Sequence, residues 1–299
     1  MPLPAHHRFW LITACLVLAA GCSHEQSQPT EQLTSSVDVD ATDKINQPSP
    51  PNAPVPPDRS MTIGQYIQAA VPADDRSWTG DEMTRAAKVL EVIAQMDAGQ
   101  LPRYQSLNSG KMFQRLTADD NLDFYRNRSL PISQRFPDAL DYIQSANRIF
   151  KVYGNAFINK QAVGDSELIE LLGSQLRVTV VMIDLVNEFT PTLDKNDRTY
   201  PVRMLGLQKM RNGFASIVAG NVQTLTESHA YRTPELKRLA GYMEATFPMI
   251  LPEMPPNSRL ETEVRFRSLL KDPKMQHLKS ELAALLAVAE KSASSQKTP

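Results

Sequence analysis

The chain has 299 residues, with 32 Lys and Arg against 33 Asp and Glu and a formal net charge of −1. That balance leaves no electrostatic footprint for a polyanion, so nucleic acid is not an expected partner. Cys15, Cys22, His6, His7 and His24 all fall near the N-terminus, leaving only His229 and His277 beyond them. Thiol catalysis, a disulfide scaffold and a multi-histidine metal site are therefore excluded as expectations.

Met1 to Arg8 is a short head with one fixed positive charge, Phe9 to Ala20 is a largely apolar run, and Ala19, Ala20 and Gly21 are small. A charged head, an apolar stretch of about 7–15 residues and a small-residue cleavage site make a secretory signal. The run is too short for a spanning helix, which takes about 20 residues. Leu18-Ala19-Ala20-Gly21-Cys22 resembles the lipobox of bacterial lipoproteins, with Leu18 one step further from the cysteine than the usual leucine. The resemblance implies cleavage between Gly21 and Cys22, removal of residues 1–21, and a Cys22 carrying diacylglycerol and an amide-linked acyl chain. The first implied partner is thus a membrane, held by more than one chain and so stably. Ser23, in place of the aspartate that commonly retains lipoproteins at the inner membrane, favours the outer membrane, with the body in the periplasm.

From Cys22 to position 60 the sequence places seven prolines (29, 48, 50, 51, 54, 56 and 57) among Ser, Thr, Gln and Asp. Such a composition cannot offset its ordering entropy, and the expectation is a disordered tether reaching roughly 35 Å.

Beyond it the helical period dominates. Thr79-Gly-Asp-Glu82 is a capping box followed by Met83, Ala86, Ala87, Leu90, Ile93 and Ala94, with Gly99 as the stop. Thr117 is predicted to open a short helix with Leu122, Phe124 and Tyr125. Pro137 is predicted in the first turn of a helix that ends at Gly154. Ser166 begins a long run to Phe189, Pro201 one reaching Leu225, and Thr233-Pro234 another. Ser258-Arg-Leu-Glu261 reads as a second capping box, and Asp272-Pro273 as the start of a last helix with Met275, Leu278, Leu282, Leu285 and Ala289 on its seam. Val178–Ile183 is strand-like in composition but lies inside a helical run and is read as helix. The expectation is an all-α protein: one helical domain of about eight helices over 61–291 and a frayed tail over 292–299.

Chemistry is sparse. His229 and His277 have no Gly-x-Ser-x-Gly elbow to serve, and HExxH is absent. Asp119-Asp120-Asn121-Leu-Asp123 suits a helix's first turn, and Asp194 to Thr199 lacks the glycine of a calcium loop. Asn108-Ser-Gly110-Lys111 is not a phosphate loop, and Ser294-Ser-Gln-Lys297 lies in the tail. No metal and no cofactor are expected. Two stripes stand out. Glu170, Arg177, Asp184 and Glu188 share one face of an otherwise apolar helix, either as its exposed strip or as a polar groove. Gly206, Gly213 and Gly220 recur every seventh residue on the next helix, with Ser216 between the last two. Each interior glycine costs about 1 kcal/mol relative to alanine, so the stripe points to a close helix crossing or an interaction face. Trp78 reads as a staple at the edge of the core. The functional expectation is a lipid-anchored, non-catalytic envelope protein that binds a protein partner as an adaptor, assembly factor or immunity-type inhibitor. The alternatives are an envelope hydrolase using paired carboxylates such as Asp184 and Glu188, and a binder of a small apolar ligand.

Overall fold

A computed structural model describes residues 76–104, 110–159, 161, 163–227 and 230–294, together with Gln65. The expected signal, Cys22 and the tether lie outside the described residues, as does His229. Among the described residues eight α-helices of two turns or more follow one another and no strand occurs: α1 (Gly80–Asp97), α2 (Gly110–Thr117), α3 (Ile132–Ile158), α4 (Asp165–Phe189), α5 (Tyr200–Thr226), α6 (Thr233–Ile250), α7 (Pro256–Lys271) and α8 (Lys279–Ser294). A short helical segment, 119–126, joins α2 to α3.

The helices pack as a chain of neighbours, α1 on α3, α3 on α4, α4 on α6, α6 on α8 and α8 on α7, with α5 resting on α4, α6 and α7. α4 lies in the middle. Leu168, Ile169, Leu172, Leu176, Met182 and Val186 are all buried, and so is the Val178–Ile183 stretch apart from Val180. This explains its strand-like composition: a helix sandwiched between two others presents apolar side chains nearly all round. The Thr84 and Ser145 hydroxyls, 2.8 Å apart, and Arg148 Nε, 2.8 Å from Glu91, set α1 and α3 parallel.

The Thr79 box forms as its sequence dictates: Glu82 N donates to Thr79 Oγ1 at 3.3 Å, and Glu82 Oε2 accepts from Thr79 N at 2.8 Å. Other boundaries differ from the sequence reading. Thr117 closes α2 instead of opening a helix, its hydroxyl turned back to Phe113 O. Pro137 sits one turn inside α3, which starts at Ile132. Pro137 and Ser133 are both exposed, so the carbonyl that loses its N–H partner faces water. Gly154 does not stop α3, which continues to Ile158. Ser258 lies inside α7: Pro255 and Pro256 preset the backbone for its first turn, and Ser258 O accepts the Thr262 hydroxyl instead of Ser258 capping the helix. After Asp272, whose carboxylate caps Lys274 N at 2.9 Å, a 3-10 turn over Pro273–Leu278 precedes the α-helix, which starts at Lys279.

Candidate functional site

Glu170 and Arg177 face α6. Tyr242 donates to Glu170 Oε2 at 2.7 Å, and the Arg177 guanidinium lies over the Tyr242 ring, 5.3 Å from its centre. Arg177 also donates to Thr117 O at 2.8 Å and approaches Glu170 at 3.8 Å. Burial, and then the bond to the Glu170 carboxylate, push the Tyr242 phenol up to about 12. The ring can lie flat against α4 because Gly173 has no side chain; a Cβ there would fall inside it. One turn earlier on α6, Arg238 reaches Glu235 at 2.5 Å and stacks over Tyr104, 4.8 Å from its centre. Asp165 is gripped by Arg232 Nε at 2.9 Å and Nη2 at 2.9 Å and accepts Arg232 N at 2.8 Å. Its carboxyl is held below its ordinary value: burial would raise it, and these hydrogen bonds outweigh burial. Glu167, buried, takes Gly164 N, Tyr104 N and Arg103 Nε.

The other half of the stripe goes elsewhere. Asp184 is exposed. Glu188 pairs with Arg135 of α3, whose side chain is 1% exposed and also donates to Leu130 O at 2.9 Å and Tyr125 O at 2.8 Å. The four residues therefore serve two separate networks, one toward α6 and one toward α3. The sequence did carry a signal for Arg135: a cation in the first turn of a helix opposes its dipole unless a partner holds it. For Gly173, Arg238 and Tyr242 it carried none, because each needs the α4–α6 crossing to be known.

Of the glycine stripe on α5, Gly213 is buried and Gly206 and Gly220 are half-buried. They line the margin of α5's buried face, Phe214, Ile217, Val218 and Asn221 lying further round. At the start of the same helix Val202 is 72% exposed and Leu205 56%, and on α7 Leu260 and Val264, one turn apart, are likewise exposed.

The acidic clusters bind cations of the chain itself. Asp119 holds Arg126 at 2.8 Å through each oxygen, and Asp120 holds Arg115. Asp194 and Asp197 cap the loop amides of Asn196 and Thr199. Among the described residues no three His, Cys, Asp or Glu converge as a metal site, and no helix is long and apolar enough to cross a membrane. His277 is exposed in the 3-10 turn before α8. Trp78 is no edge staple: it is buried in the core, its backbone N donating to Asn121 Oδ1 at 2.7 Å. A groove of about 330 Å³ runs between the C-terminal halves of α1 and α3. No protein-family model, curated protein or solved structure matches the chain.

Proposed function

We propose that this is a lipid-anchored protein of the cell envelope whose helical body binds a protein partner without catalysing a reaction. The anchor follows from the Leu18-Ala19-Ala20-Gly21-Cys22 pattern, and Ser23 favours the outer membrane. The observation that carries the partner reading is the pair Val202 and Leu205 on the first turns of α5, 72% and 56% exposed beside the half-buried Gly206. Fully burying an aliphatic side chain of this size is worth about 1.5–3 kcal/mol, a gain that a partner surface can collect. The carboxylates that would suit hydrolysis support a structural role instead, since Glu170 and Glu188 are each engaged by arginine and Asp184 stands in solvent.

Two measurements test the reading. Cys22→Ala should abolish acyl labelling and release the chain from membranes; retention of both would refute the anchor. A photo-crosslinking side chain at Leu205, in intact envelopes, should capture one discrete protein, while the same group at exposed Glu244 of α6 captures none. Equal, diffuse labelling from both positions would refute a docking face on α5.

A further inference from the structure

The groove between α1 and α3 has a floor of small apolar side chains, Ala94 from α1, Ala98 from the turn just after it, and Val152 and Ala156 from α3. Its rim is made of carboxamides: Gln95, Asn155, Asn159 and Gln161. None of these amides makes a hydrogen bond within the chain among the described residues. One end is closed by the two-pronged pair of Arg148 with Glu91, at 2.8 and 2.5 Å, which cancels both charges. Lys151 makes no ion pair among the described residues, so the rim carries one free positive charge.

That lining selects its ligand. A carboxamide offers two donors and an acceptor, the complement of a peptide unit. No aromatic ring lines the groove, so it lacks the stacking platform suited to a sugar or a base. Arg148 is already neutralised, which leaves a phosphate a single lysine. From Arg148 to Asn159 the wall is about 16 Å long at 1.5 Å per residue, the span of about five extended residues. The chemistry fits a short extended peptide with small side chains facing the floor and acidic ones facing Lys151.

We infer that the occupant is this chain's own Val37-Asp38-Val39-Asp40-Ala41, docked in the α1–α3 groove. In an extended strand Val37, Val39 and Ala41 fall on one face and Asp38 and Asp40 on the other, the pattern the floor and Lys151 require. The connection reaches: the 20 residues from Ala41 to Met61 alone span roughly 25 Å as coil, and the groove begins about 20 Å along α1 from Gly80. A groove this shallow holds a free peptide poorly. A segment on the same chain is present at an effective concentration of about millimolar, so weak docking still fills the site. Docking would leave only the residues between Cys22 and Val37 to separate the body from the lipid, so the groove sets a short and a long form of the leash.

The inference rests on residues 22–60 acting as a tether, and its test needs neither the lipid nor a partner. In the full chain in detergent, Asn155→p-benzoylphenylalanine is irradiated and the cross-linked peptides are mapped by mass spectrometry. The adduct should lie within positions 35–43 of the same molecule, shown by mixing heavy and light chains. K151E should weaken it about two- to fivefold, the range expected for one exposed charge pair, and D38K/D40K in the K151E background should restore it. Adducts scattered along the tether, adducts between heavy and light chains, capture of another protein, or no adduct would each overturn the inference.

Discussion

Replacing Gly173 by alanine places one methyl group inside the Tyr242 ring, where α4 and α6 cross. The obstacle is the ring itself, close to its own backbone, so Tyr242 must swing about its first torsion or the helices must part. Alanine gains about 1 kcal/mol of helix propensity over glycine, whereas overpacking a closed contact costs about 1–3 kcal/mol. Swinging the ring also forfeits the 2.7 Å bond to Glu170 and the stacking of Arg177, together about 2 kcal/mol. The net expectation is a loss of about 2–4 kcal/mol, or about 4–16 °C in Tm for a body of this size. Gly154 and Gly241 are helical glycines with nothing within 4 Å of a built Cβ. There propensity acts alone, and alanine should raise Tm by about 2–4 °C. Thermal unfolding of the three variants, followed by circular dichroism, compares one chemical change at three sites. Tyr242→Phe should cost less in the Gly173→Ala background than in the parent, because the bond it deletes is already lost. A Gly173→Ala protein that melts at or above the parent temperature would refute the crossing geometry.

Arg135→Met should cost about 3–5 kcal/mol in urea unfolding, since it strands two carbonyls and a carboxylate partner, while Glu188→Gln should cost far less because Glu188 reaches solvent. Equal costs would show that Arg135 is not the anchor of that junction. The pH profile has a definite sign. Asp119 is held below its ordinary 3.8, first by the hydrogen bonds from Arg126, and Glu82, Asp165 and Glu281 are also lowered because their hydrogen bonds outweigh burial. A depressed carboxylate contributes stability above its unfolded value and loses it as pH falls through the folded one, so the urea midpoint should be level above about pH 5 and fall below about pH 4. Asp141, raised by burial and by Asp138 and Asp81, works against this as it takes up its proton, but it is one group against five, Asp197 being lowered as well by its hydrogen bonds from Thr199. A midpoint unchanged at pH 3 would contradict the assignment. At the other extreme Tyr125, Tyr142 and Tyr153 are raised by burial, so their contribution should fade as pH climbs past the ordinary phenol value of 10.

What the sequence disclosed followed from local rules. Thr79 and Glu82 are three residues apart, and their reciprocal bonds need nothing but that spacing, so the start of α1 was legible. The helical reading of Val178–Ile183 was legible too, because length and flanks outweigh β-propensity in a long apolar run. Gly154 misled because a helix ends at a glycine only if the next residues leave the cylinder, and Phe157 and Ile158 stay on it. Ser258 and Glu261 have the spacing of a box, yet Pro255 and Pro256 start the helix three residues sooner. The polar stripe was visible as a stripe, but its division between Tyr242 and Arg135 depends on which helices flank α4. The Val202–Leu205 exposure was hidden for the same reason: an aliphatic pair in a helical pattern reads as core until its neighbours are placed.

The join between the N-terminal chain and the body has a mechanical consequence. A pull applied at Arg76 enters at the start of α1, whose main neighbour is α3. Such a helix would ordinarily peel away one turn at a time under load. Here Trp78 is buried immediately ahead of the first turn and its amide is fastened to Asn121, which in turn is held by Arg115 Nη2 at 2.8 Å and by Arg115 O at 2.6 Å. Gly80 lies against Asp138, which accepts the Tyr125 hydroxyl at 2.6 Å. Tension is thereby carried sideways into α2, the 119–126 segment and the start of α3 before it reaches the rest of α1. Under a pull at Arg76 the Trp78 clamp must give before α1 can be drawn out.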